Sequence, residues 1–332
     1  MKAAILYNIK EPLRVIKTDN PVIAENEVLV KLKAAALNHR DVWVQKGLYA
    51  GIKLPVILGS DGTGIVEACG TAVNQKWTGK EVIINPSLNW GNDTKAQQKS
   101  FMILGLPENG TFAEYVKVGA EYIYPKPTHL SFTEAAALPL AGLTAYRALF
   151  TRAHLQKDER VLVTGIGGGV ALFVLQFAIA AGAEVYVTSG SDNKIDKAIT
   201  LGAGKGVNYK TADWVKQLQE TTDGFDVIVD GAAGEGFLQL PELAKPGGRI
   251  VNYGATQGDV PKLNMRRIFW KQLSVLGSTM GSAEDFSNMV DFVNEKKIKP
   301  VIDKVFDLND AELAMQRMAN AEQFGKIVLK MD

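Results

Sequence analysis

The sequence is poor in the residues that most metal and redox chemistry uses. It has one cysteine, Cys69, and three histidines, His39, His129 and His154, in 332 residues. A lone cysteine excludes an internal disulfide and any thiolate-rich zinc site, and the histidines are too scattered for ligand spacing. An excess of one charge is also missing: 37 Lys and Arg face 36 Asp and Glu, for a formal net charge of +1. No basic field recruits nucleic acid, and there is no acidic tail. No apolar run approaches the ~18 residues needed to span a bilayer. The opening Met1 to Tyr7 has too short an apolar core for a signal peptide. Neither nucleic acid nor a membrane is expected as a partner, and a cytoplasmic location is expected.

What remains is ordinary for a globular chain, with 46% hydrophobic and 22% charged residues, and the length is enough for two cores. The most informative stretch runs from Val161 through Gly165, Gly167, Gly168 and Gly169 to Val170 and Ala171. An apolar strand enters a glycine turn, and an apolar helix pattern from Leu172 to Ala178 leaves it. Glycine permits the tight turn and close backbone approach, and a helix start offers unpaired N–H groups at a positive dipole end. This pattern predicts a dinucleotide pyrophosphate site.

Around the loop the sequence changes grammar. The first ~120 residues show short strands with Gly and Pro punctuation, as in a small β-rich barrel, with a polar surface lobe from 86 to 108. Ser131 to Glu134 predicts a capping box opening an alanine-rich helix, and a second helix is predicted from Leu143 to Phe150. Beyond it strand and helix alternate: strands near Glu184 to Thr188, Gly206 to Tyr209, Phe225 to Asp230 and Gly248 to Tyr253, with helices between. Such alternation predicts a parallel sheet covered by helices. The tail adds a strand from Leu273 to Ser278, helices from Ala283 to Glu295 and Asp310 to Ala319, and a strand from Lys326 to Lys330. The expected organisation is α/β, with domains at 1–122 and 123–265 and a segment 266–332 that ends the sheet and returns to the first domain.

Separate motifs in order then carry a resemblance. Leu37-Asn38-His39-Arg40-Asp41, Leu54 to Val66 with Gly59-Ser60-Asp61-Gly62, Gly110 to Tyr115, Leu138 to Tyr146, the glycine loop and Phe324 to Leu329 resemble the medium-chain dehydrogenase/reductase superfamily in its zinc-free, quinone oxidoreductase-like branch. Ala171 stands where the family's loop usually ends in glycine. The resemblance implies a chaperonin-10-like β-rich catalytic domain, an inserted Rossmann domain with a doubly wound parallel sheet, and catalysis in the cleft between them. Zinc members carry Cys, His and a third ligand. Here those positions hold Asn38, Ser60 (with Asp61 in the neighbouring acidic position) and a residue near Leu140, and the lobe has no cysteine, so no metal is expected.

NADPH is the expected cofactor. The strand that usually ends in a ribose-binding acid here ends Thr188-Ser189-Gly190-Ser191, with no carboxylate at its tip. Ser191 or Asp192 is expected to cap the next helix. Lys194, in the first turn, is poorly placed for the dipole alone and is explained by a 2′-phosphate, with Ser189 and Ser191 as donors. The resemblance implies that Tyr209 flanks that phosphate with Lys194, that Thr144 touches the nicotinamide, and that Asn38 and Lys326 reach in from the catalytic domain. Gly231 and Gly254 are either nicotinamide-pocket glycines or ordinary turn glycines.

Hydride transfer asks mainly for position, plus hydrogen bonds to a developing oxyanion. Asn38, Tyr49 and Ser60 are the catalytic candidates, Tyr49 as a proton donor or as a stacking wall. Asp41 is expected to hold its loop; Arg40 and His39 either face the pyrophosphate or are solvated. The expected activity is hydride transfer to a quinone or activated enone. Aldehyde, ketone or enoyl-thioester reduction, or a non-catalytic structural or regulatory NADPH-binding role, are the alternatives. Analogy with related proteins suggests a homodimer through an edge strand at Leu273 to Ser278; the alternative is a monomer with that edge covered.

Overall fold

The structure is a computed structural model that describes residues 1–331. The chain forms two compact units, Thr144–Met280 and the remainder, made of Met1–Leu143 with the segment from Gly281 onward. No helix among the described residues is long and apolar enough to cross a membrane.

In the first unit the organising element is the strand Glu27–Ala36, whose alternating burial puts Val28, Val30 and Leu32 into the core. One edge pairs antiparallel with Asp61–Cys69. The other edge changes partner part way: Glu27 to Lys31 pair with Tyr115–Gly119, and Ala34 to Ala36 pair with the final strand Lys326–Lys330. Small side chains make this exchange possible, because Ala34 and Ala36 form a buried patch with Ala136, Ala137 and Val328 that lets the elements approach closely. The expected capping box is present at Ser131, whose hydroxyl accepts from Glu134 N at 3.3 Å at the head of the helix Phe132–Ala136. That helix packs on the strands Glu27–Ala36 and Asp61–Cys69. The first unit therefore continues past residue 122, to Leu143.

In the second unit six parallel strands lie in the spatial order Lys205–Asn208, Glu184–Ser189, Arg160–Val163, Phe225–Asp230, Ala244–Asn252, Ser274–Gly277. Numbered along the chain this is 3-2-1-4-5-6, the doubly wound nucleotide-binding order. Val161, Leu162 and Val163 at the centre are all fully or almost fully buried, as a strand covered on both faces requires. Ser274–Gly277 completes the sheet, and this unit runs to Met280.

Three local expectations are revised. The helix predicted from Leu143 to Phe150 is an α-helix over Pro139–Tyr146 that passes into a π-helical stretch, Arg147–Arg152. A helix, His39–Gln45, interrupts the strand-rich first region. The tail has a strand, Ile302–Asp307, that sequence pattern did not reveal; it pairs parallel with Lys326–Lys330.

Candidate functional site

Sheet register gathers the polar residues of the first unit. Ala36 lies opposite both Asp61 and Val328 in the two pairings of its strand. Two residues back along the last strand, Lys326 falls level with residue 38, where the central strand gives way to the helix His39–Gln45. One strand end thus assembles Asn38, Asp61 and Lys326 from three distant parts of the chain.

Their hydrogen bonds close on themselves. Lys326 Nζ donates to Asn38 Oδ1 at 2.6 Å, to Leu37 O at 2.8 Å and to Asp61 Oδ2 at 2.9 Å. An ammonium has three hydrogens, so all are used within this unit. Asn38 Nδ2 donates to the same Asp61 Oδ2 at 2.9 Å, and Asp61 Oδ1 accepts from Leu140 N at 2.8 Å. Asp61 is fully buried and the Lys326 side chain is 3% exposed. Beside them Asp41, also fully buried, accepts from Asn38 N at 2.8 Å through Oδ2, whereas its Oδ1 has no partner among the described residues. Burial raises the Asp41 carboxyl to about 6, against the opposing pull of Arg40, the Asn38 hydrogen bond and Lys326, with Asp61 adding to the rise.

The other two catalytic candidates are joined by Arg40. Ser60, fully buried, accepts from Arg40 Nη1 at 2.7 Å and donates to Leu104 O at 2.8 Å. The same guanidinium lies 5.1 Å from the Tyr49 ring centroid, a cation–π distance. Tyr49 is half-buried against the core of the first unit. Arg40 thus faces Ser60, Leu104 and Tyr49.

These residues do not fit a catalytic zinc. The first-ligand position offers an amide oxygen already taken by an ammonium, the second a hydroxyl turned to Leu104, and Leu140 contributes a backbone N–H, which is a donor. A divalent cation here would meet the Lys326 charge at hydrogen-bond range of the one available carboxylate, Asp61. Among the described residues no group of three or more His, Cys, Asp or Glu could hold a metal.

In the second unit the glycine loop has the backbone that the pattern predicts. Gly165 has φ +62° and Gly167 φ +127°, both in the left-handed region that favours glycine. Gly168 is the N-cap of the helix Gly169–Ala180, whose first helical hydrogen bond runs from Leu172 N to Gly168 O. The N–H groups of Gly169, Val170 and Ala171 precede it and are the donors that a helix start leaves for an anion. A Cβ on Gly168 would meet nothing within 4 Å, so the cradle is open there. A Cβ on Gly167 would lie 2.9 Å from Lys194 Cδ, which places the Lys194 side chain across the loop.

The strand tip brings Ser189, Ser191 and Tyr209 together. Ser189 is buried, with its hydroxyl 3.4 Å from Ile166 O and 3.3 Å from Ser191 N. Ser191, not Asp192, is the N-cap of the helix Asp192–Thr200, and Asp192 accepts from Asn208 Nδ2 at 2.8 Å. A Cβ on Gly190 would come within 2.8 Å of both Tyr209 Oη and Lys210 Cε, so these two side chains sit over the tip. Lys210 was not anticipated; its only sequence signal was its place next to Tyr209. Thr144 is buried, with its hydroxyl 3.9 Å from Met280 Sδ. Gly231 and Gly254 have a packing reason: a Cβ on Gly231 would strike the Tyr253 ring at 2.4 Å, and one on Gly254 would lie 2.9 Å from Gly231 O. Burial, with the Asp230 carboxylate adding to it, pushes the Tyr253 phenol well above its ordinary value.

Known proteins with this arrangement are numerous. Residues 24–128 match the alcohol dehydrogenase GroES-like domain and residues 169–295 match the zinc-binding dehydrogenase family. The chain is 38% identical to a zinc-type alcohol dehydrogenase-like protein of Leptosphaeria maculans, covering 96% of this chain and 95% of that one. It is 39% identical to a zinc-type alcohol dehydrogenase-like protein of Schizosaccharomyces pombe, over 92% and 91%. A solved structure described as an NAD-dependent alcohol dehydrogenase superposes with a TM-score of 0.94 at 38% identity over all of both chains. With its GroES-like unit, its 3-2-1-4-5-6 parallel sheet and these relatives, the chain belongs to the medium-chain dehydrogenase/reductase superfamily, as an oxidoreductase of the alcohol dehydrogenase-like kind.

Proposed function

We propose that this protein is an NADPH-dependent, zinc-independent reductase that delivers a hydride to a quinone or an activated enone. The observation that carries this reading is the Lys326–Asp61–Asn38 cluster, a charge-paired group that engages Asn38, where the resemblance puts the first zinc ligand. Alcohol oxidation needs a Lewis acid to make the alkoxide accessible near neutral pH. A conjugated acceptor spreads the charge left by hydride addition over its own π system, so hydrogen-bond donors suffice.

The preference for NADPH rests on the strand tip. Ser189, Ser191, Tyr209 and Lys210 supply hydroxyl and cationic groups around Gly190, Lys194 lies across Gly167, and Asp192 is engaged by Asn208. That set suits a 2′-phosphate and lacks the acid that accepts a ribose diol. When bound, the dinucleotide supplies the hydride. The chain's part is to seat the pyrophosphate on the N–H groups of Gly169 and Val170, and to offer Asn38, Ser60 and Tyr49 as the polar groups for the acceptor.

Reduction of an aldehyde or ketone is the second reading, favoured by the alcohol dehydrogenase names of the relatives. The deciding experiment follows NADPH absorbance with chelator-treated protein and a panel of quinones, enones and aldehydes. Chelator-resistant turnover of quinones or enones is expected. Aldehyde turnover lost with the chelator overturns the reading, and NADPH binding without turnover transfers it to a regulatory or structural role. A homodimer belongs to the same proposal: the edge strand Ser274–Gly277 and the adjacent helix Met265–Trp270 expose Val275 (44%), Phe269 (64%) and Trp270 (83%). Light scattering after size exclusion is expected to give twice the 36.0 kDa chain mass.

A further inference from the structure

The polar cluster of the first unit fixes one amide in one orientation. The two ends of a carboxamide are nearly the same size, so shape alone seldom decides which is which. Charge decides it at Asn38. An ammonium can only donate and an ionised carboxylate can only accept. Lys326 Nζ lies 2.6 Å from Asn38 Oδ1, and Asp61 Oδ2 lies 2.9 Å from Asn38 Nδ2. Turning the amide over would set its hydrogens against the ammonium and its oxygen against the carboxylate, losing two charge-assisted hydrogen bonds for two repulsions. The 2.9 Å contact between Lys326 Nζ and Asp61 Oδ2 closes the ring. Its three members are 7%, 0% and 3% exposed, so water screens these charges little.

One hydrogen of Asn38 Nδ2 goes to Asp61. The other meets no acceptor among the described residues, and its partners leave it no freedom to turn away.

We infer that Lys326 and Asp61 are positioning residues that lock the Asn38 amide so that its second N–H is the hydrogen-bond donor to the acceptor oxygen on which negative charge develops. This rests on the reductase reading. In the step, a C–H bond of the reduced dinucleotide would break and its electron pair form the new C–H bond of the acceptor, so that the dinucleotide is oxidised, the acceptor is reduced and the conjugated π pair moves onto the acceptor's oxygen. A solvent proton later neutralises that oxygen. The Asn38 N–H hydrogen-bonds throughout and is not transferred. Lys326 therefore does its work through Asn38 rather than as a ligand of the dinucleotide phosphates, because its own three hydrogens are spent on Leu37, Asn38 and Asp61.

The test pairs a structural readout with a kinetic one. Lys326→Met leaves the Asp61 charge buried without its partner and risks unfolding, so Lys326→Met/Asp61→Asn, which removes both charges, is made beside it. In 15N-labelled protein without added ligand, the side-chain amide of Asn38, assigned by its loss in Asn38→Asp, is expected to show one slowly and one rapidly exchanging hydrogen. In the double variant both are expected to exchange rapidly. With 1,4-benzoquinone at saturating NADPH, the double variant is expected to lose kcat by about a hundredfold, the scale of one lost oxyanion donor. Its NADPH Kd should move less than about twofold, and adding Asn38→Leu should cost little more. An unchanged amide exchange pattern overturns the inference. So does a large rise in NADPH Kd with kcat retained, which would make Lys326 a phosphate contact. If the natural protein turns over no acceptor, the reductase reading falls, while the exchange experiment still decides whether Lys326 and Asp61 lock the amide.

Discussion

The two units of this chain carry polar groups prepared in opposite ways. Around Asn38 nearly every donor and acceptor is matched inside the protein, and the charges of Lys326 and Asp61 answer each other at 2.9 Å. Around Gly167 and Gly168 the chain leaves N–H groups unspent at a helix start, and at Gly168 it leaves space where a side chain would be. The first arrangement is closed on itself, as suits the positioning role proposed for it. The second is incomplete until an anion arrives, as suits binding. Asp41, with a buried oxygen that finds no partner among the described residues, is a flaw in the first arrangement.

Four experiments break or sharpen that contrast. The largest effect belongs to Asp61→Ala, which strands the Lys326 ammonium in the interior. A loss of about 4 kcal/mol in urea unfolding is expected, the cost of breaking a buried pair on one side. A loss below about 1 kcal/mol would mean that the charges of the first unit are not closed off from water.

Asp41→Asn tests the flaw. The carboxyl has an ordinary value of 3.8 and sits at about 6 in the fold, chiefly through burial. Between those values the unfolded chain gives up this proton while the folded chain keeps it, so stability falls as pH rises through the window and stays lower above it. The Asn variant has no such slope. Its stability relative to the natural protein should rise by roughly 2–3 kcal/mol from about pH 4 to about pH 7; parallel pH curves would refute the assignment.

Turning to the open site, Lys194→Ala should raise the KM for NADPH at least about tenfold and that for NADH less than about twofold, since the lost partner is a phosphate. Equal changes for both cofactors would remove the case for the 2′-phosphate. The smallest effect is expected from Tyr209→Phe. Its hydroxyl sits over Gly190 and the residue is 47% exposed, so a rise of about threefold in the NADPH KM should follow, with NADH unaffected.

Legibility in the sequence followed the same division. The glycine loop was readable because its determinants are contiguous: four glycines within five residues between a strand and a helix announce their own backbone. The alternation that gave the six-stranded sheet is equally local. Lys210 escaped because a lysine after Tyr209 has no periodicity to mark it. The helix His39–Gln45 was hidden by its shortness among strands, and the strand Ile302–Asp307 by the charged residues at both its ends. The end of the first region was placed early, at 122, because the packing of the helix Phe132–Ala136, not composition, carries the first unit on to Leu143.

By itself, then, the sequence determined the two-part α/β architecture, the glycine cradle, the missing metal-ligand types and the absence of an acid at the strand tip. Each of these is a matter of which residue stands at which spacing. Only the tertiary structure decided that Lys326 meets Asn38 and Asp61, that Arg40 faces Ser60 and Tyr49, and that Lys194 lies across Gly167. Those meetings depend on the register of antiparallel strands from opposite ends of the chain and on the directions of long side chains. Neither leaves a mark on any local stretch of sequence.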